Sequence, residues 1–356
     1  MDLARVKDES GRTIALLPPS TIAALNLRFE AITSQLLAAP AKAEALRKAL
    51  ALQLRMKNSV QTRADFADTA ALFGYAHYKF RLRGLTAYAL FASAAAAHPS
   101  LRAALVGSRE RGPPAIASVG GGPGNDAFGA MLWVREYGHG GMAAAYAVGE
   151  GEGEPPLLQV YDCAPGWGTV VARVAELGGL RIGFDVCDVC DPLSSAPNSA
   201  LLSSVGGAPA LAPDVVVFCY VLNEVMNTCV EAAAAAAAAS GSSAEVAVAA
   251  EAPSWLRFVD DVWRAAKPGT VFLFRDQHER AERALVAHFS SEWREGENYW
   301  WIGGEGAGAG EGEGDAAARP AKKQKSKQKQ ARQQQAKQKQ AKHAPPPRAL
   351  AALKPA

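Results

Sequence analysis

The sequence predicts an α/β protein whose sheet is mainly parallel. After Pro113, five short apolar runs typical of strands alternate with segments of helical periodicity, and this alternation indicates βα units. A glycine-rich turn joins the first strand candidate to the first helix candidate of this region. A Lys-Pro-Gly stop signal, Lys267–Gly269, ends a helix directly before the fifth strand candidate.

Residues 1–112 predict a helical N-terminal subdomain. Apolar residues recur at helical spacing over Ile22–Leu37 and Ala41–Leu54, and the aromatic residues of Phe66–Phe80 fit one face of a later helix. The stretch 19–105 contains no convincing strand. Two roles remain open for this subdomain, a brace packed on the domain that follows or a cap over its active site.

Residues 113–303 predict the α/β domain itself, with strands at the apolar runs and helices between them. The strand candidates are Ala115–Val119, Leu157–Tyr161, Leu180–Phe184, Asp214–Tyr220, Val271–Arg275 and, last, Tyr299–Ile302. The helix candidates are Asp126–Tyr137, Thr169–Leu177, Ser254–Ala266 and, after the fifth strand, Arg280–Ser290. Two further segments, Gly138–Pro156 and Glu231–Pro253, have the biased composition of surface insertions.

Charge is distributed unevenly along the chain. Residues 319–356 carry nine lysines, three arginines and no acid, so the total charge of +3 leaves −9 for residues 1–318. Residues 304–356 have little to bury, and they predict a disordered tail that is first Gly/Glu-rich and then Lys/Gln-rich. Such a tail favours RNA as a partner, because lysines neutralise phosphates, unless it is only a solvated extension.

Several classes of protein are disfavoured. No apolar run approaches the roughly 18 residues of a membrane span, so we expect no contact with membranes. Residues 1–9 hold acids and lack an apolar secretory segment, which predicts an intracellular protein without a cleaved leader. Cys187 and Cys190 have no second Cys or His pair at zinc-ligand spacing, so we expect structural thiols and no metal.

The glycine-rich turn is the strongest local signal for a ligand. It occupies Ser118–Asp126, and its glycines let backbone amides approach a nucleotide-like ligand closely. A dinucleotide fingerprint would need a glycine at Asn125 or at Ala127, depending on the frame. The Gly-x-Gly-x-Gly frame that begins at Gly120 is intact, and it separates this turn from the dinucleotide class.

The order of elements after this turn resembles that of Rossmann-like S-adenosylmethionine-dependent methyltransferases. The shared elements extend over about 160 residues of the chain, roughly one domain's length. They are the glycine turn, the acid Asp162 after a strand, the segment around Asp188, the strand Asp214–Tyr220 with its following Asn223-Glu224, and the Lys267–Gly269 stop signal. The resemblance implies S-adenosylmethionine as cofactor and methyl transfer as the activity.

The resemblance also implies roles for individual residues. Asp162 is expected to accept hydrogen bonds from the ribose hydroxyls, and Asp188 from the adenine amino group. The implied cofactor-binding residues are Ser118, Gly120, Gly121, Gly122, Gly124, Asp162, Cys163, Asp188, Val189 and Tyr220. The implied catalytic residues are Asn223, as a hydrogen-bond donor to the acceptor, and Glu224, as a base. Asp276 is an alternative base, and Glu224 can instead orient the methionine amino group or begin a helix.

Two positions depart from the family pattern. Ser118 stands where family members usually have the acid that contacts the methionine part of the cofactor. Asp162 follows Gly124 by 38 residues, against roughly 20 in dinucleotide folds, and the insertion Gly138–Pro156 accounts for the excess.

A narrower resemblance is to the fungal large-subunit ribosomal RNA uridine-N3 methyltransferases. It rests on Gly120–Asp126 read together with Tyr161–Trp167 and Cys190–Leu193. It implies a uridine N3 acceptor in ribosomal RNA. The lysine-rich tail is also typical of nuclear localisation signals, so we expect the protein in the nucleus or nucleolus, with the cytoplasm as the alternative. Two other functions remain open: methylation of a protein or small molecule, and a non-catalytic RNA assembly factor of this fold. The sequence does not indicate an oligomeric state.

Overall fold

A computed structural model of the chain describes residues 2–37, 42–57, 66–97, 99–108, 112–138, 145–147, 157–208, 212–222, 225, 254–276, 281–285 and 299–302. The chain begins with an antiparallel hairpin of β1 (Ala4–Lys7) and β2 (Thr13–Leu17). Four helices follow, which are α1 (Pro19–Leu36), α2 (Lys42–Lys57), α3 (Thr69–Ala97) and α4 (Pro99–Val106). The sequence analysis predicts the helices but not the hairpin, whose strands are only four and five residues long.

The central sheet has six strands, and every neighbouring pair is parallel. They are β3 (Ile116–Val119), β4 (Leu158–Asp162), β5 (Ile182–Val186), β6 (Val215–Cys219), β7 (Val271–Arg275) and β8 (Tyr299–Ile302). Their spatial order is β5-β4-β3-β6-β7-β8. Counted from β3 as the first strand, this is the order 3-2-1-4-5-6 of the doubly wound Rossmann fold. The predicted α/β, Rossmann-like, parallel-dominated sheet is therefore confirmed.

Helices cover both faces of this sheet, as parallel strands require. They are α5 (Asn125–Tyr137), α6 (Trp167–Gly178), α7 (Ser199–Val205) and α8 (Ser254–Ala265). The predicted strand Val271–Arg275 has its predicted bounds, whereas the predicted Leu180–Phe184 begins and ends two residues later. Of the predicted helix Arg280–Ser290, residues 281–285 are helical and the others lie outside the described residues. The predicted tail, 304–356, lies outside them too.

The long helix α3 packs directly on α5, because glycines occur where the two helices cross. A side chain at Gly129 of α5 would collide with the carbonyl oxygen of Gly84 in α3. The close approach joins α1, α3, α5 and one face of the sheet in a single apolar core, in which Phe29, Phe80 and Phe128 pack edge to face or tilted. The helical N-terminal part and the sheet are thus held by the same buried surface.

The hairpin turn is fixed to the carboxyl end of β7 by buried charges. Arg275 Nη2 lies 2.6 Å from Asp8 Oδ2, and both side chains are fully buried. Arg12 Nη1 lies 2.6 Å from Glu282 Oε2, and Arg275 Nη1 lies 3.3 Å from Glu282 Oε1. These four residues alternate in charge, so each cation has an anionic partner, as buried charges need.

Candidate functional site

The site lies at the carboxyl ends of β3 and β6. These strands are neighbours, yet the chain leaves β3 toward β4 on one side and leaves β6 toward β7 on the other. The connections therefore diverge and open a crevice, which is where open α/β sheets bind ligands. The glycine turn follows β3, and Tyr220 follows β6, so both lie at this point of the sheet.

The glycine turn needs glycine at four positions. Gly120, Gly122 and Gly124 have φ of 70°, 48° and 81°, which residues other than glycine rarely adopt. Gly121 has no such φ, but a Cβ there would collide with the Ser118 hydroxyl and lie 3.2 Å from Val160 Cγ1. The turn consequently consists of backbone with almost no side chain, and Gly121–Gly124 are buried.

Asp162 lies beneath this turn at the end of β4. Its Oδ2 accepts a hydrogen bond of 3.0 Å from the Gly122 amide, and its Oδ1 accepts one of 3.1 Å from the Ala164 amide. Burial raises the pKa of Asp162 to about 6, and the two amides oppose the rise. A carboxylate oxygen can accept more than one hydrogen bond, so Asp162 retains capacity for a ligand. Its neighbour Cys163 is exposed.

Asp188 lies two residues beyond β5 and is 5% exposed. Its Oδ1 accepts a hydrogen bond of 3.0 Å from the Cys190 amide. Asn198 holds its backbone on both sides, since Oδ1 of Asn198 accepts from the Asp188 amide at 2.7 Å and Nδ2 donates to the Asp188 carbonyl at 3.0 Å. Val189, next along the chain, is buried. The sequence analysis did not single out Asn198, because nothing in its local pattern indicates that it is buried.

Together the turn, Asp162 and Asp188 form a row along one edge of the sheet. They follow β3, β4 and β5, which are consecutive neighbours about 4.8 Å apart, and Asp162 is in register with Val186 at the end of β5. The site residues predicted on these three strands are therefore brought together. The row suits an elongated ligand with polar groups along its length.

Tyr220, which directly follows β6, has a strained backbone conformation. Its φ is 64°. A bulky residue in this left-handed conformation is strained by about 1–3 kcal/mol, and strained residues of this kind are concentrated at functional sites. Its amide donates to the Arg275 carbonyl at 2.8 Å, and its hydroxyl donates to Thr86 Oγ1 at 3.1 Å. The Arg83 guanidinium carbon lies 4.6 Å from the centre of its ring. The buried ring is thus in contact with α3.

The predicted catalytic residues Asn223 and Glu224 follow Tyr220 in the chain. They lie outside the described residues.

Ser118 and Asp126 meet behind the glycine turn. Ser118 is fully buried, and its hydroxyl donates to Asp126 Oδ2 at 3.4 Å. Asp126 is 1% exposed, and burial raises its pKa to about 7, while Arg83 opposes the rise. Asn125 Nδ2 donates to Asp126 Oδ1. An acid in the first turn of a helix usually complements the helix dipole at the surface, so the sequence did not indicate this burial.

The other sequence candidates lie nearby. Asp276 directly follows β7, is buried, and donates its amide to Glu282 Oε1 at 3.2 Å. Cys187 is buried and Cys190 is half-buried. Within the described ranges, no group of three or more His, Cys, Asp or Glu side chains is arranged to hold a metal ion. No helix in the described part of the chain is both long enough and apolar enough to cross a membrane.

Comparison with known proteins adds one similarity. The structure of an O-methyltransferase family protein from Burkholderia thailandensis matches with a TM-score of 0.29 and 16% sequence identity. The match covers 54% of this chain and 49% of that one, so the chain spans about half the length of the protein it matches. A similarity at this TM-score carries no argument about function. No protein-family model matches the chain, and a search of curated proteins found no match.

Proposed function

We propose that the chain is an S-adenosylmethionine-dependent methyltransferase that acts on RNA, with uridine N3 of ribosomal RNA as the acceptor. The observation that carries the cofactor is the row of the glycine turn, Asp162 and Asp188 on three neighbouring strand ends. The RNA acceptor is supported by the tail charge of +12 and by the sequence resemblance.

The residues of the row fit the parts of this cofactor in order. The bare turn of Gly120–Gly124 admits the sulfonium chain close to the backbone. Asp162, already oriented by the Gly122 and Ala164 amides, has acceptor capacity for the ribose hydroxyls. Asp188, whose backbone Asn198 fixes, is one strand further along and would accept from the adenine amino group.

The bound cofactor would supply a methyl group on an already activated sulfonium, so alignment and exclusion of water provide most of the acceleration. The chain's own task is to hold the acceptor nitrogen in line with that methyl group, in the crevice between the turn and Tyr220. A uridine N3 must also lose its proton. Glu224 or Asp276 would accept that proton, and Asn223 would hydrogen-bond the base.

The basic tail would bring the substrate to the domain. Its lysines and arginines bind phosphates without base readout, because no aromatic side chain is interleaved with them for stacking. Its composition also supports a nuclear or nucleolar location, with the cytoplasm as the alternative. Replacing the nine tail lysines by glutamine should weaken RNA binding and flatten its dependence on salt. Unchanged turnover on RNA would favour a protein or small-molecule acceptor instead.

Calorimetry with S-adenosylmethionine tests the cofactor. We expect saturable binding to the native chain and a loss of about 10–100-fold in affinity for Asp162→Asn, since a charge-assisted hydrogen bond contributes about 1.5–3 kcal/mol. Asp185→Asn is the matched control, because Asp185 lies on the next strand and only accepts from Gln159 at the surface. Absence of heat with the native chain would overturn both enzyme functions and favour the non-catalytic assembly factor.

The acceptor is tested separately by mass spectrometry of nucleosides from total RNA, with and without the gene. The proposal predicts that 3-methyluridine falls when the gene is removed. An unchanged nucleoside spectrum contradicts the uridine acceptor and leaves the cofactor assignment intact.

A further inference from the structure

Asp126 is a buried acid that makes no direct ion pair within the described residues. Its carboxylate contacts the Ser118 hydroxyl at 3.4 Å and the Asn125 amide nitrogen, and neither group carries a charge. Only 1% of Asp126 is exposed to water. A buried carboxylate is stable only when it is neutral or when a positive charge pairs with it.

Its neighbour Asn125 is also incompletely satisfied. Asn125 is 2% exposed, and its Oδ1 has no hydrogen-bond partner in the described structure. Buried side-chain oxygens are normally paired, so an unpaired one next to a buried carboxylate needs an explanation. The two residues together offer carboxylate and amide oxygens at one place.

These oxygens are buried behind the glycine turn. Asp126 touches Ser118 of β3, and its charge acts on Cys219 at the end of β6. The two strands are the ones whose connections diverge. Asp126 therefore lies behind the glycine turn, next to the point where these connections diverge.

The nearest cation, Arg83, is already engaged elsewhere. Its Nε lies 3.2 Å from Glu9 Oε1, and its guanidinium lies over the Tyr220 ring. Arg83 favours the charged form of Asp126 but does not make an ion pair with it in the described structure. A small cationic donor group from a ligand would pair with the Asp126 carboxylate and with the unpaired Asn125 Oδ1.

We propose that Asn125 and Asp126 bind the primary ammonium group of the ligand, which in S-adenosylmethionine is the amino group of the methionine part. An ammonium has three N–H donors and one charge, which match the carboxylate and the unpaired amide oxygen. Asp126 thereby replaces, from the start of α5, the acid that is absent at Ser118 of β3. The inference rests on the proposed cofactor and adds a binding residue to it.

Two ligands separate this inference from the proposed function. S-adenosylmethionine carries the ammonium, whereas 5′-methylthioadenosine keeps the adenosine and sulfur but lacks the amino-acid part. By calorimetry, Asp126→Asn should lose about 10–100-fold in affinity for S-adenosylmethionine and less than about 2-fold for methylthioadenosine. Asp162→Asn should weaken both ligands equally, because both contain the ribose.

The outcomes are distinct. Equal losses for both ligands in Asp126→Asn, or no loss for either, overturn the ammonium site while the cofactor assignment stands. A native chain that binds neither ligand overturns the proposed function and this inference with it. Thermal unfolding of each variant accompanies the titrations. Asn125→Ala removes the unpaired Oδ1 together with the Nδ2 donor to Asp126, and it gives a second variant with the same expected selectivity.

Discussion

Replacing Asp8 by asparagine tests whether the buried charges that fix the hairpin stabilise the fold. Asp8 Oδ2 lies 2.6 Å from Arg275 Nη2, and neither side chain is exposed. Asp8 Oδ1 also accepts from the amides of Ser10 and Arg12, each at 2.9 Å. Asparagine has nearly the same shape and can keep those turn hydrogen bonds through its oxygen, so the substitution removes the negative charge and the Oδ2 acceptor that faces Arg275.

The magnitude follows from the burial of the pair. Removing one partner of a buried ion pair costs about 3–5 kcal/mol, because the other charge is left uncompensated. Glu282 Oε1 lies 3.3 Å from Arg275 Nη1 and continues to offset part of that charge, so we expect the lower end, about 3 kcal/mol. At about 2 °C per kcal/mol for a domain of this size, the Tm should fall by roughly 6 °C.

The loss should also depend on pH. Burial tends to raise the pKa of Asp8, but the Ser10 hydrogen bond and the Arg275 charge outweigh it and hold the pKa below its ordinary value. A carboxyl whose pKa is lower in the folded state stabilises the fold above its unfolded pKa of about 4. That stabilisation is lost as pH falls through the folded pKa. The difference between Asp8→Asn and the native chain should therefore be constant near neutral pH and shrink below about pH 4.

Urea and thermal unfolding, followed by circular dichroism, measure this difference. The matched control is Glu176→Gln, because Arg173 Nη1 and Glu176 Oε2 are also 2.6 Å apart but their side chains are 37% and 69% exposed. An exposed pair contributes about 0–1 kcal/mol, so the control should change stability little. Equal losses in the two variants would refute the argument that burial sets the cost.

Two further substitutions test the row of the site. Gly120→Ala should weaken S-adenosylmethionine binding and lower stability more than Gly179→Ala does. Both glycines have positive φ, but only at Gly120 would a Cβ collide with Val221. Comparable losses in the two variants, by calorimetry and thermal unfolding, would contradict the argument that the Val221 contact requires glycine. Asn198→Ala should cost about 2–3 kcal/mol in urea unfolding, since it leaves buried backbone groups of Asp188 and its neighbours unpaired. A cost below about 0.5 kcal/mol would show that those groups find other partners.

Strands and the ligand turn were predictable because their signals are local. Short apolar runs between turn residues indicated where along the chain each strand of the central sheet lies, and β7 and β8 have their predicted bounds. Gly120–Gly124, Asp162 and Asp188 were expected to form one site from the family resemblance. The structure brings them to one edge of the sheet because parallel strands end there together. The hairpin was missed because strands of four and five residues carry too little periodicity.

The partners of the site residues were not predictable, because they come from distant parts of the chain. Thr86 and Arg83 of α3 contact Tyr220, and their position depends on the glycine crossing of α3 and α5. Asn198 fixes Asp188 only because its loop folds back over β5. Each contact requires the packed core, and no window of sequence contains both members of a pair.

The sequence by itself determined the α/β class, the strand candidates and a turn in which glycine is required. The tertiary structure alone decided the solvent exposure of each acid. Asp126 looks like an ordinary helix-start acid in sequence, but the packing of α3, β3 and β6 removes it from water. Likewise Asp8 and Arg275 are 267 residues apart, and only the folded chain pairs them. The physical reason is that periodicity reports local geometry, whereas the energy of a charge depends on its surroundings in three dimensions.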